Sequence, residues 1–196
     1  MTEPHHGHRA LPIVDGSAEP FARLISEVGI RTQEEFKQFI VWVKDNGGQG
    51  AFYRSRHELI FVFKSGTTKH QNHFGLGGTG RYRTNVVEYA GCNTFRKGRD
   101  ADLQAHSTTK PLAMVMDFLL DCSTQGDVVV DPTSGSGTTL LAAHHTKRRG
   151  AAIELDPGYV DTALTRLRAA TGVEPILAGD GRGFDAIASE RLGGEG

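Results

Sequence analysis

Asp127-Val-Val-Val-Asp-Pro-Thr-Ser-Gly-Ser-Gly-Thr-Thr139 is a short β-branched run that ends in an acidic residue and a glycine-rich turn. An apolar, helix-like segment follows, and the next β-like run delivers the carboxylate of Glu154. This spacing is typical of a βαβ unit in which the acid accepts hydrogen bonds from both ribose hydroxyls. Gly135 and Gly137 allow a sharp turn and a close approach to a ligand, which a Cβ would prevent. The stretch therefore predicts a nucleoside-cofactor site.

The residues around the glycine turn argue against two common nucleotide sites. A phosphate loop of the Walker type needs a lysine after its last glycine, but Thr138 and Thr139 stand there. A dinucleotide fingerprint needs a third glycine, which residues 140–145 do not supply. A different nucleoside cofactor is therefore indicated.

Four segments resemble one enzyme family. The form D-P-x-x-G-S-G-T-T at 131–139 resembles motif I of the S-adenosylmethionine-dependent DNA amino-methyltransferases, which make N6-methyladenine or N4-methylcytosine. His106-Ser-Thr-Thr-Lys-Pro111 is similar to the H-P-T-x-K-P signature that precedes motif I in the permuted, β-group members. Asp156-Pro-Gly-Tyr159 is similar to the D-P-x-Y that follows motif II. The segment from Trp42 to Lys64 resembles the family's hairpin. Together they span roughly residues 36 to 170 in the family's order.

The resemblance implies that S-adenosylmethionine is the cofactor. An ordinary βαβ turn without a ligand is the alternative, which the adjoining signatures disfavour. Lys110 either pairs with the methionyl carboxylate or is a solvated residue at a helix start. Thr133 stands where the family usually has Phe, whose ring covers the cofactor, so weaker binding is expected. The residues implied as cofactor-binding are His106, Thr108, Lys110, Asp131, Pro132, Gly135, Gly137, Thr138, Glu154 and Asp156.

Double-stranded DNA is the partner that the resemblance implies, with the target base rotated out of the duplex. Basic residues cluster at the expected hairpin tip and in the loop region that follows, although such residues are often merely solvated. The predicted DNA contacts are Arg54, Arg56, Arg81, Arg83, Arg96 and Lys97.

A catalytic residue cannot be assigned. The family's catalytic motif is (Asp/Asn/Ser)-Pro-Pro-aromatic and lies N-terminal to every segment matched above, but the sequence contains no Pro-Pro pair. Leu11-Pro-Ile-Val-Asp-Gly16 is an early β-like run ending in an acid, and it lacks both the second proline and the ring. We therefore expect a truncated or split methyltransferase with little activity alone, completed by a second chain or acting as a homodimer.

Composition sets further bounds. The 196 residues carry a net charge of −1 and contain no apolar run long enough to span a bilayer, so neither global attraction to nucleic acid nor a membrane role is expected. Cys92 and Cys122 show no pairing pattern, which favours free thiols in a reducing cytoplasm. His144 and His145 are adjacent rather than spaced for one metal, so no metal site is expected.

The pattern of elements predicts an α/β fold. The resemblance makes it a Rossmann-like methyltransferase sheet, incomplete, with an antiparallel hairpin and a gap beside the first cofactor strand. The sequence predicts a helix from Glu34 that runs into a strand at 39–44, a partner strand at 58–63, and a helix from Pro111 to about Cys122. Further elements are expected as strands at 127–130, 151–155 and 175–178 and helices at 138–146 and 157–170.

The domain organisation follows. Residues 1–30 are expected to form a disordered or loosely docked arm, and 31–180 a partial methyltransferase domain. Within that domain, 31–64 is the hairpin, 65–105 the basic loop region and 106–180 the cofactor-binding half. A flexible tail is expected over 181–196.

Three functions remain open. The first is a DNA amino-methyltransferase, whole or split, of the kind found in restriction-modification systems. The second is a non-catalytic remnant or interaction module that keeps affinity for S-adenosylmethionine, DNA or both. The third is a methyltransferase that acts on RNA or a small molecule, for which the basic loop is irrelevant.

Overall fold

The computed structural model describes residues 35–48, 52–73, 83–91 and 109–193. His106, Thr108, Arg81, Arg96 and Lys97, the first 34 residues and Cys92 lie outside these ranges. The described elements are strands β1 (Glu35–Val43), β2 (His57–Lys64), β3 (Val86–Glu88), β4 (Val128–Asp131) and β5 (Arg149–Ala152), and helices α1 (Leu112–Cys122), α2 (Thr138–His145), α3 (Pro157–Thr171) and α4 (Phe184–Gly193).

Strands β1 and β2 form the predicted antiparallel hairpin, with a register that runs from Glu35 opposite Lys64 to Val43 opposite His57. The helix predicted from Glu34 is wrong over the described residues, because β1 already begins at Glu35. The cause is non-local: Phe36 packs edge-on against Phe63 with ring centroids 5.5 Å apart, and other aromatic pairs extend the contact. Cross-strand aromatic pairs of this kind stabilise a sheet.

The first sheet has the order β2-β1-β3, with β3 parallel to β1. Its inner face packs on α1 through one cluster of buried side chains. The indole nitrogen of Trp42 also donates a hydrogen bond to Tyr89 O over 2.8 Å, which fixes β1 to the residue that follows β3. The cluster comprises Trp42, Ile60, Val87, Met114 and Phe118.

An adjacent face of α1, about 100° around the helix, packs on α2 and on the second sheet, in which β4 and β5 pair in parallel. Val115 and Leu119 contact Val129 of β4 and Ala142 and Ala143 of α2. Helix α1 therefore lies between the two sheets and buries residues toward each of them. The positions of α1, β4 and α2 agree with the sequence prediction.

Strand β5 begins at Arg149, two residues before the predicted start, although its pairing continues because the N–H of Ile153 donates to Asp131 O. Within the described ranges no hydrogen bonds join the two sheets into one, so the predicted incomplete sheet is confirmed. Val128 and Val130, which alternate with buried Val129 on β4, are 45% and 50% exposed. One face of β4 is therefore bare.

The C-terminal part combines two confirmed features and two corrections. Asp156 caps α3 by accepting a hydrogen bond from the N–H of Gly158, and Gly172 ends the helix in the left-handed region, both as predicted. The third strand predicted at 175–178 is wrong: Ile176 makes one antiparallel bridge to Gly183. Residues 184–193 form α4, where a flexible tail was predicted. No helix in the described part of the chain is both long and apolar enough to cross a membrane.

Arg148 connects the ends of two helices. Its buried guanidinium donates to Ser123 Oγ over 3.0 Å and to the carbonyl oxygens of Ser123, Thr146 and Leu119. A cation at helix C-termini is favourable because the last carbonyls have no partner within the helix.

We expect Arg148→Met to lower the free energy of unfolding by about 2 kcal/mol, because several charge-assisted hydrogen bonds are lost. Urea denaturation provides the measurement. Arg149→Met is the matched control, since the side chain of Arg149 is exposed and donates to one carbonyl, Gly126 O, over 3.3 Å. Equal losses for the two variants would contradict the assigned role.

Candidate functional site

The turn between β4 and α2 is held by backbone contacts to its neighbours. The N–H of Thr133 donates to Asp131 Oδ1 over 3.0 Å, and the N–H of Ser134 donates to Ile153 O over 3.1 Å. Gly135 and Gly137 have φ angles of 52° and 78°. These angles place the backbone in the left-handed region that glycine adopts without steric strain. The turn thus lies across the carboxyl ends of both β4 and β5, where ligands bind in open α/β sheets.

Glu154 directs its carboxylate into this turn. One oxygen accepts a hydrogen bond from the N–H of Gly135 at 2.6 Å. The other accepts from the N–H groups of Leu155 and Asp156 at 2.9 and 3.0 Å. The predicted acid and one of the predicted glycines are therefore brought together.

The surroundings of Glu154 suit a nucleoside. Ser134 Oγ is buried in the turn and has no hydrogen-bond partner in the described part of the chain, which is unusual for a buried hydroxyl. Leu155 directly follows the acid and is 97% exposed, an apolar side chain left in water beside a fixed carboxylate. This combination matches an adenosyl group: the hydroxyl and the carboxylate suit its polar ribose, and the apolar side chain suits its flat adenine ring. Sequence reasoning missed both Ser134 and Leu155, although the position of Leu155 after the acid is a signal that could have identified it.

Gly137 is required for packing. A Cβ at this position would lie 2.8 Å from the Cβ of Ala163 on α3 and 3.3 Å from its Cα. The absent side chain therefore lets α3 approach the start of α2. Contact of Gly137 with a cofactor remains a prediction, as it does for exposed Pro132 and for Thr138, which is buried at the start of α2.

Lys110 is held by an acid that sequence reasoning did not single out for a role. Its ammonium lies 3.2 Å from Glu58 Oε2, while Lys44 pairs with the other oxygen of this buried carboxylate. Both ammonium groups lie over the ring of Trp42, at 6.0 and 5.0 Å from its centroid. The alternative of a solvated lysine is therefore wrong, and pairing with a cofactor carboxylate remains a prediction. The signal that sequence reasoning lacked is long-range, because Glu58 belongs to the hairpin.

Ser136 connects the glycine turn to the segment before α1. Its hydroxyl lies 3.4 Å from Thr109 Oγ1, and the guanidinium of Arg166 donates to both the carbonyl and the hydroxyl of Ser136. Lys110, which directly follows Thr109, is thereby tied to the turn. The two halves of the predicted cofactor site belong to one contact network.

The described basic residues differ in their surroundings. Arg54 and Arg56 are exposed on the hairpin, and the guanidinium of Arg56 donates to Lys44 O over 3.1 and 3.2 Å. Arg83 instead pairs with Asp121 Oδ2 at 3.0 Å and Asp117 Oδ2 at 3.2 Å, which ties the start of β3 to α1. These contacts support a structural role for Arg83, so we leave it out of the DNA interface proposed below.

Cys122 has no nucleophilic character. Burial raises the pKa of its thiol to about 11, with Asp121 adding to the shift. At neutral pH the thiolate that a covalent attack on a base needs is therefore scarce. A covalent role for Cys122 is therefore disfavoured.

The chain is similar to known DNA methylases over most of its length. The family model described as DNA methylase matches residues 24–165. The type II methyltransferase M.HpaI of Haemophilus parainfluenzae is 30% identical over 146 residues, which are 67% of this chain and 45% of that protein. M.HinfI of Haemophilus influenzae is 33% identical over 143 residues, covering 66% and 38%. The chain spans less than half the length of these relatives.

Solved structures show the same architecture. The complex of M1.HpyAVI with SAM is 25% identical, with a TM-score of 0.62 over 76% of this chain and 71% of that one. The cytosine-N4-specific PvuII DNA methyltransferase is 16% identical, with a TM-score of 0.63 over 76% and 57%, a likeness that shows the fold alone. The fold is Rossmann-like and of the methyltransferase type. Because the family model covers most of its length, the chain belongs to the DNA methylase family.

Proposed function

We propose that this chain binds S-adenosylmethionine in the glycine turn and forms the cofactor-binding portion of a DNA methyltransferase acting on adenine N6 or cytosine N4. One observation carries the proposal: the carboxylate of Glu154 meets the N–H of Gly135 at 2.6 Å, at the carboxyl ends of two parallel strands. The family assignment and the likeness to M1.HpyAVI, whose structure contains SAM, support it.

The described residues suggest a division of roles at this site. Glu154 is suited to accept hydrogen bonds from the ribose hydroxyls, which would replace part of its contacts to the backbone N–H groups, and Leu155 offers an apolar surface for the adenine ring. Lys110, steadied by Glu58, is the cation available for the methionyl carboxylate. The cofactor, when bound, supplies a methyl group on a sulfonium centre. The chain's own contribution is to orient this methyl group, because positioning and electrostatic stabilisation lower the activation barrier of the transfer.

The base-binding motif is proposed to come from a second chain. The sequence contains no Pro-Pro pair, and the bare face of β4 at Val128 and Val130 leaves an apolar strand beside the cofactor turn without cover in the described residues. An exposed apolar face of this kind is a natural site for a partner. A polypeptide with the (Asp/Asn/Ser)-Pro-Pro-aromatic motif would cover this face and supply the base pocket.

Methyl transfer from tritiated S-adenosylmethionine to native duplex DNA tests this function. We expect at most weak incorporation from the chain alone, because the sequence lacks the family's Pro-Pro motif, and an increase of at least about tenfold when a chain with the motif is added. Mass spectrometry of the nucleosides identifies N6-methyladenine or N4-methylcytosine. Robust turnover by the chain alone would contradict the split enzyme.

A non-catalytic module is the second candidate, favoured by the lack of any Pro-Pro pair in the sequence. It predicts S-adenosylmethionine binding by calorimetry without methyl transfer, whatever chain is added. Restored transfer with a motif-bearing chain would exclude it.

A further inference from the structure

The hairpin carries two large apolar side chains in water. Phe52 is 88% exposed and Tyr53 is 81% exposed, and their rings form an edge-to-face pair with centroids 4.7 Å apart and an interplanar angle of 84°. Exposed aromatic residues side by side are uncommon unless they contact a partner. The other aromatic residues of β1 and β2 are less exposed, because Trp42 lies in the core and the phenylalanines pack on one another, as at Phe36 and Phe63.

Backbone hydrogen bonds hold the two chain segments next to the aromatic pair. Beyond the regular strands the two arms stay paired, because the N–H of Lys44 donates to Arg56 O at 2.7 Å and the N–H of Gly48 donates to Ser55 O at 2.9 Å. A Cβ on Gly47 would lie 3.0 Å from the Cβ of Arg54, so that side chain crosses close over the opposite arm. Phe52 and Tyr53 therefore lie directly beside a hydrogen-bonded extension of the two strands.

The charge around the rings selects the partner. No acidic residue occurs from position 46 to position 57, while Arg54 and Arg56 follow the rings directly. The acids that flank this interval are engaged: Asp45 Oδ1 accepts the N–H of Gly91, and Glu58 pairs with two lysines. Aromatic rings beside arginines that form no ion pair within the described ranges match a nucleic acid, because bases stack on the rings and phosphates pair with the guanidinium groups.

We propose that Phe52 and Tyr53 stack on bases that are exposed where the duplex is opened, with Arg54 on the adjacent phosphate. The inference rests on the proposed function, since extrusion of the target base is what unstacks its neighbours and leaves its partner unpaired. The aromatic pair serves as a base-contacting tip with higher affinity for DNA that contains an unpaired base. A contact to phosphates alone would give the same affinity for fully paired and opened DNA.

Fluorescence anisotropy with two labelled duplexes of the same flanking sequence, one fully paired and one with a central unpaired base, tests the tip in the full chain. We expect the chain to bind the opened duplex about tenfold more tightly. Phe52→Ala with Tyr53→Ala should remove this preference and leave the salt dependence unchanged. Arg54→Ala should weaken binding to both duplexes and reduce the salt slope by about one phosphate contact.

The swap Phe52→Tyr with Tyr53→Phe keeps both rings and should keep the preference. The proposal would be overturned if the variant without the two rings still preferred the opened duplex. It would also be overturned if removing the rings changed only the self-association of the chain in sedimentation velocity. Calorimetry with S-adenosylmethionine separates the two proposals. A chain that binds the cofactor but no DNA overturns the tip alone, whereas ring-dependent DNA binding without cofactor heat overturns the proposed cofactor function alone.

Discussion

Glu154→Ala should weaken S-adenosylmethionine binding about 10- to 100-fold, measured as the dissociation constant by isothermal titration calorimetry. The charge-assisted contact to the ribose is lost, with a net contribution of about 1.5–3 kcal/mol. The substitution also removes the acceptor that holds the N–H groups of Gly135, Leu155 and Asp156. The turn therefore loses both a ligand contact and its own support.

Two variants define the specificity of this effect. Asp161→Ala removes an exposed carboxylate from α3 and should leave cofactor affinity unchanged. Glu154→Gln keeps the size of the side chain and one acceptor oxygen, so its affinity should lie between those of wild type and Glu154→Ala. If folded Glu154→Ala bound the cofactor like wild type, the ribose assignment would be wrong.

Gly137→Ala should lower the free energy of unfolding by about 2–5 kcal/mol in urea denaturation. A left-handed backbone disfavours any Cβ by about 1–2 kcal/mol, and the clash with Ala163 at 2.8 Å adds an overpacking term of about 1–3 kcal/mol. Because α3 must shift to relieve the clash, the relation of α3 to the start of α2 should change as well.

Gly126→Ala isolates the backbone contribution, since Gly126 has a φ of 87° but a Cβ at this position would meet no atom within 4 Å. This control should lose only about 1–2 kcal/mol. Combining Gly137→Ala with Ala163→Gly should relieve part of the clash and recover part of the lost stability, with a coupling energy of at least about 1 kcal/mol. Equal losses for the two glycine variants and no coupling would show that strain alone requires glycine at 137.

Local chemistry made much of the cofactor half predictable. Asp156 and Gly172 mark the start and the end of α3 within the sequence itself, and both features appear in the structure. The β-branched run before Asp131 and the glycines after it likewise identify β4 and the turn. These signals act over a few residues, so one sequence suffices to read them.

What remained hidden depends on contacts between distant residues. Strand β1 begins early because Phe36 meets rings of the opposite strand, a contact stronger than the local preference that suggested a helix. Arg83 carries a charge that suggested DNA, yet its partners lie on α1. Glu58 is unremarkable in sequence, although it lies between two lysines. Each case requires knowledge of which elements become neighbours.

Helix α1 packs against both small sheets, so the stability of each sheet depends on the same helix. Met114 and Phe118 are buried toward the hairpin, whereas Val115 and Leu119 are buried toward the cofactor half. If either sheet detached, the apolar side chains of α1 that it covers would be exposed to water, which would oppose the separation. Helix α1 thereby couples the stability of the hairpin to that of the cofactor half.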